Sequence, residues 1–166
     1  MAKQKPLCAI ALCAALAPPL GAQASSIFLT GHDPDFHANQ GSNTVSVIDT
    51  ATLAVTSVGV GAQPTALAVG AGNTLYVANQ GSSTLSTIDT VTNTLSPNTI
   101  GVGPAPSSVA VSADGSVAYV ANANDTVSVI NTTTSALVST VRFDTDATGA
   151  HAVTVAPNGA VYVVDA

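Results

Sequence analysis

From Ile27 onward the chain is written in short runs where apolar residues alternate with Ser and Thr, and Gly, Asn, Asp and Pro separate one run from the next. A period of two, carried by Val, Ile, Thr and Tyr, predicts β-strands, and the punctuation predicts tight turns. Val45 and Val47 fall on one side of such a strand, Ser46 and Ile48 on the other. Neither side carries charge, so both faces of the sheet are expected to be covered by neighbouring sheets. No run after the first 24 residues supports a long helix.

The runs repeat. Residues 36–50 read FHANQGSNTVSVIDT, 76–90 read YVANQGSSTLSTIDT and 118–132 read AYVANANDTVSVINT. GAQPTALAV at 61–69 returns as GPAPSSVAV at 103–111, an offset of 42, and Tyr76, Tyr119 and Tyr162 recur every 43. In the best-preserved copy the strands are expected at 67–69, 75–78, 84–89 and 94–100. Four strands in a unit of about 42 residues predict an all-β fold, a β-propeller of four-stranded antiparallel blades.

Tyr76-Val77-Ala78-Asn79 and Tyr119-Val120-Ala121-Asn122 are each preceded by a G-x-x-P turn and followed by an Ile-Asp-Thr or Ile-Asn-Thr end. These motifs resemble the YVTN-repeat β-propeller family, with its surface-layer-type repeats, and the resemblance covers essentially all of 27–166. It implies an exported bacterial propeller, typically of seven blades and mostly non-enzymatic or without a known activity, with a more distant likeness to lactonase and nitrous oxide reductase propellers. Fold follows from such a likeness; function does not, because propellers host many activities.

By the family's convention the strands of a blade are lettered A to D from the central channel outward. The chain then enters at strand B and supplies B to D of a first blade in 27–59, with an insertion at 31–38. A second blade occupies 64–100, a third 106–141, and 150–166 start a fourth. About three to three and a half blades close no ring, so the chain reads as a fragment of a seven-bladed propeller. Self-association through open blade edges is the alternative if the chain is complete.

Residues 1–24 read as a secretory signal peptide, with Lys3 and Lys5 before an apolar run at 7–16 and a small-x-small cleavage site at Ala22-Gln23-Ala24. The apolar run is too short to span a bilayer, and no membrane span is expected in the mature chain, 25–166. Cleavage near Ala24 implies a periplasmic or extracellular protein. Cys8 and Cys13 leave with the signal, so packing and strand pairing must stabilise the rest without disulfides. The whole sequence is 46% hydrophobic but only 7% charged, and its acidic residues are nine Asp without a single Glu. After cleavage one Arg stands against nine Asp, a formal charge of −8. That excludes a nucleic-acid partner, since neutralising phosphates takes clustered Lys and Arg.

One segment breaks the repeat. Phe28 to Thr44 takes sixteen steps, where Tyr76 to Thr84 takes eight and Tyr119 to Thr126 seven. The excess holds His32, Asp33, Asp35 and His37, two imidazoles and two carboxylates within six residues. Such donors suit a divalent metal such as zinc. The same loop also reads as a polar bend, in which Asp33 and Asp35 make Asx turns, Pro34 sets the direction and Phe36 packs down. In the family's topology the B–C and D–A connections share a face, so His151, placed in the D–A connection, is expected on the same face as the insertion, a further candidate metal ligand.

Asp49, Asp89 and Asn131 stand at equivalent strand ends and are expected to cap the turn that follows. The recurring Tyr is expected to pack between blades, and Asn79 and Asn122 to close the B–C turn. A single Arg, with no Lys or Cys after cleavage, gives few ionisable groups to converge on a channel, so whether the chain is an enzyme stays open. The function expected is that of an exported, non-catalytic binding or interaction scaffold, its partner an unidentified protein or small-molecule ligand. A metal-dependent, lactonase-like hydrolase and a structural cell-surface protein are the alternatives.

Overall fold

The structure, a computed structural model, describes residues 26–29, 40–49, 52–143 and 149–165. The strands form four antiparallel sheets in chain order. The first holds β1 (Ser26–Leu29), β2 (Thr44–Asp49) and β3 (Val55–Gly59). The second holds β4 (Pro64–Val69), β5 (Thr74–Asn79), β6 (Thr84–Asp89), β7 (Thr94–Leu95) and β8 (Ile100–Gly101). The third holds β9 (Pro106–Val111), β10 (Val117–Asn122), β11 (Thr126–Asn131) and β12 (Ala136–Arg142), and the fourth β13 (Ala150–Val155) and β14 (Val161–Asp165). There is no helix among the described residues, hence none long and apolar enough to cross a membrane.

Within a sheet each strand pairs with its sequence neighbour, the meander of a propeller blade, except that β8 continues the outer edge by pairing with β6. The first strands of successive sheets, β4, β9 and β13, lie against one another, while the outer strands diverge. The sheets therefore fan out like blades from a common centre. Thr65 Oγ1 donates to the Pro106 carbonyl at 2.9 Å, and Ser107 Oγ, one repeat on, donates to the Ala150 carbonyl at 2.7 Å. These two equivalent hydrogen bonds join the inner edges of consecutive sheets.

The alternation in sequence sets which sheet each residue meets. Leu75, Val77 and Ile88 pack with Val45 and Val47 of the first sheet. Their sequence neighbours Tyr76 and Ala78 pack the other way, with Val109, Ala118, Val120 and Ile130 of the third sheet. Tyr119 and Ala121 then face Val153, Val161 and Val163 of the fourth. The core is thus a series of inter-sheet layers, which is why neither side of a strand carries charge. Tyr76 fills its layer: it is 5% exposed and hydrogen-bonds the Thr132 side chain, and burial raises its phenol above the ordinary value. Gly70 makes room for the ring, because a Cβ there would lie 2.6 Å from Tyr76 Cε2.

Two strand boundaries differ from expectation. The inner strands begin at Pro64 and Pro106, earlier than the run at 67–69 implied, since Pro is accepted as the first residue of a strand. The outer strand expected at 94–100 is broken in two. Leu95 pairs with Ile88 and Ile100 with Leu85, so residues 96–99 stand opposite only Ser86 and Thr87. Ser96 still donates to the Thr87 carbonyl at 2.8 Å, but Pro97 has no N–H to give, and the surplus bulges outward.

Candidate binding face

The B–C turns and D–A turns meet on one face and lock together. Gln80 and Gly81, in the turn between β5 and β6, donate their N–H groups to the carbonyls of Gln63 and Ala62 at 2.8 and 3.0 Å. Ala123 donates likewise to the Pro104 carbonyl at 3.1 Å in the third sheet. The carbonyls of Asn43, Ser83 and Asp125 accept the N–H groups of Val60, Val102 and Phe143, at 2.8, 3.1 and 3.1 Å. Asn43 adds a link of its own: its Oδ1 accepts the Gln63 N–H at 2.9 Å, so the end of the first B–C connection is fastened to the next D–A turn.

Beneath these turns lie two buried amides. Asn79 Nδ2 donates to Thr84 Oγ1 and Ser86 Oγ, at 3.2 and 2.9 Å. Asn122 Nδ2 reaches Thr126 Oγ1, the Thr126 carbonyl and Ser128 Oγ at 3.0, 3.2 and 3.1 Å. Both asparagines do more than close the B–C turn, since they clamp strand C to strand B at full burial. The glycine of each G-x-x-P turn packs on the clamp, as a Cβ at Gly61 or Gly103 would come within 2.6 Å of the amide. That contact explains why the Asn and the Gly-containing turn recur together.

The opposite face carries the A–B and C–D turns, joined by hydrogen bonds such as Thr132 Oγ1 to the Gly115 carbonyl at 2.6 Å. Its carboxylates are structural. Asp49 Oδ1 accepts the Thr52 N–H, Asp89 Oδ1 those of Val91 and Thr92, and Asn131 Oδ1 that of Thr134, all within 2.8–2.9 Å. The capping expected of these three positions is what the structure shows. Asp114 accepts from the hydroxyls of Ser112 and Ser116 and from the Ser116 N–H, which holds its carboxyl at about 2.

Four of the five candidate metal ligands, His32, Asp33, Asp35 and His37, lie outside the described residues. His151 is described, and it is the second residue of strand β13 rather than part of the D–A connection. It is exposed, with Nδ1 3.0 Å from the Gly149 carbonyl. The register explains the difference: His151 occupies the place of Thr65 and Ser107, the second residue of each inner strand. Among the described residues no three His, Cys, Asp or Glu side chains converge as a metal would require.

Asp125 was not among the candidates. It holds the position of Asn43 and Ser83 at positive φ, is half-buried, and has one carboxylate oxygen, Oδ1, that is buried without a hydrogen-bond partner. Where Asn43 takes the N–H of Gln63, the third repeat puts a carboxylate. The signal was the aligned Asn, Ser and Asp before each strand C, but its meaning depends on a contact across 20 residues.

No protein-family model matches the chain, and no curated protein does. Solved structures do. A chain of the Kuenenia stuttgartiensis hydrazine synthase is 32% identical, with a TM-score of 0.70 over 81% of this chain. Virginiamycin B lyase from Staphylococcus aureus has a TM-score of 0.69 over 85% of this chain at 14% identity. Both are β-propeller proteins. The fold here is therefore that of propeller blades. This chain spans 36% and 45% of the lengths of those two chains, so their likeness extends to part of each propeller-containing protein.

Proposed function

We propose that the chain is an exported propeller of the YVTN-repeat type that acts as a non-catalytic binding scaffold, with its partner or ligand site on the face of the B–C and D–A turns. One observation carries this reading. The hydrogen bond from Gln63 N–H to Asn43 Oδ1, at 2.9 Å, anchors the end of the longest B–C connection on that face. A long connection rooted in a rigid band of turns is where repeat folds place recognition. His32, Asp33, Asp35 and His37 in that connection are the proposed donors for a ligand or a divalent cation, zinc being the best chemical match, with His151 as a more distant candidate. Export rests on the signal-like segment at 1–24, with cleavage near Ala24 and residence in the periplasm or outside the cell.

Calorimetric titration with zinc chloride tests the site. Wild type is expected to bind saturably and a His32→Ala/His37→Ala variant to lose binding by tenfold or more, about 1.4 kcal/mol. Equal binding by both proteins, or none by either, removes the metal from the proposal. The two imidazoles and two carboxylates of the insertion also suit a second reading, a metal-dependent lactonase-like hydrolase. Turnover of a lactone panel by zinc-loaded wild type, lost in the double variant, supports that reading; binding without turnover supports the scaffold. A purely structural cell-surface protein predicts no difference between the two.

A further inference from the structure

The sequence contains a single Asn-Gly pair, Asn158-Gly159, and it falls in the turn between β13 and β14. That turn shares two hydrogen bonds with the turn at Asp114-Gly115, between β9 and β10. Gly159 N–H donates to the Ala156 carbonyl at 2.9 Å, as Gly115 N–H does to the Ser112 carbonyl at 2.8 Å. Ala160 N–H donates to Asn158 Oδ1 at 3.1 Å, as Ser116 N–H does to Asp114 Oδ1 at 3.1 Å. Both glycines take positive φ, 85° and 73°.

The side chains around the two turns differ. Asp114 also accepts from the hydroxyls of Ser112 and Ser116, at 2.6 and 2.8 Å. Ala156 and Ala160 stand in those two places and bring no hydroxyl to Asn158. Asn158 and Gly159 are exposed, and a Cβ on Gly159 would meet nothing within 4 Å. Asp114 is exposed as well, although its sheet is flanked on both sides, so exposure at this turn position does not depend on a neighbour.

We propose that Asn158 is a site of spontaneous deamidation. The Gly159 nitrogen gives its proton to solvent and attacks Asn158 Cγ; the bond from Cγ to Nδ2 breaks, and ammonia leaves with a proton from water. The five-membered imide that remains takes up one water, at either carbonyl, to give aspartate or isoaspartate. One water is consumed and one ammonia released, with nothing oxidised or reduced. Glycine permits the attack because no Cβ crowds its nitrogen. The Ala160 N–H on Oδ1 supports the charge that gathers on that oxygen as Cγ is attacked. Gly159 N–H must first leave the Ala156 carbonyl, so the reaction runs through local opening of the turn. Asp114-Gly115 shares the backbone but is protected, since its carboxylate is held by three donors and offers no leaving group. Aspartate at 158 fits the turn as Asp114 does and adds one negative charge. Isoaspartate lengthens the main chain by a methylene and pulls the Ala156 N–H from the Ala160 carbonyl, its acceptor at 2.8 Å.

Incubation of the full chain in heavy-oxygen water at mildly alkaline pH, followed by peptide mass spectrometry, tests this. Asn73 and Asn98 are the internal controls, because both are exposed but precede threonine, whose branched side chain crowds the attacking nitrogen. Asn158 is expected to become a labelled acid at least about tenfold faster than either. Ala156→Ser/Ala160→Ser supplies the two hydroxyls of the third sheet and is expected to slow the reaction about fivefold, the net worth of one hydrogen bond. An Asn158 that stays unlabelled, equal rates at Asn158, Asn73 and Asn98, or equal rates in wild type and the double variant overturns the proposal.

Discussion

The turns impose backbone conformations on residues of unequal suitability. Asn73, Asn93 and Asp125 take positive φ with side chains that tolerate it, but Leu53 does so at φ 59 and is 75% exposed. Its equivalent in the next repeat is Asn93. Leu53→Asn is therefore expected to stabilise the fold by about 1 kcal/mol, since it relieves the left-handed penalty and gives up little burial. A shift of the urea midpoint to higher concentration without a change in slope is the readout, and an unchanged midpoint would remove the strain argument. Asp114 gives a pH prediction at the same scale. Hydrogen bonds from Ser112 and Ser116 depress its carboxyl in the folded state to about 2, below the ordinary 3.8. A depressed folded value means the contribution is present above about pH 4 and is lost as pH falls toward 2. Carboxyl resonances followed by NMR should show Asp114 titrating well below the ordinary aspartate value, and Asp114→Asn should flatten stability across that window.

Strand by strand, alternation told which residues would share a side, because only the period of two enters that inference. Capping at Asp49, Asp89 and Asn131 was legible for a similar reason: donor and acceptor lie within three residues. The Asn79 and Asn122 clamps were only half legible, since their packing on Gly61 and Gly103 depends on a turn some twenty residues earlier. The strand expected at 94–100 ran through Pro97 unbroken, and only the pairings of Leu95 with Ile88 and Ile100 with Leu85 show that it breaks there and recovers. This break also separates two kinds of outer edge. The edge of β7 and β8 is interrupted, whereas β12 runs seven residues without proline and is exposed throughout. Leu137, Val138 and Val141 stand on that long edge with a single charge, Arg142, at its end. Uncapped edges of this kind pair with other chains. Val138→Lys should lower aggregation on heating while leaving circular dichroism unchanged, and unaltered aggregation would point to another surface.

In the whole molecule, one residue type samples three depths of the same stack. Tyr76 lies in the layer between the second and third sheets at 5% exposure, Tyr119 is half-buried against the two-stranded fourth sheet, and Tyr162 is 58% exposed. In an array of repeats, stability comes from each unit and from its contacts with its neighbours, so an identical substitution should cost different amounts along the chain. Tyr76→Ala is expected to cost about 3–5 kcal/mol, the range for removing a buried aromatic ring. Tyr162→Ala should cost less than about 1 kcal/mol in dilute solution, and Tyr119→Ala an intermediate amount. Equilibrium unfolding in urea at low protein concentration measures all three. Equal losses would mean that the sheets do not stack in the order described.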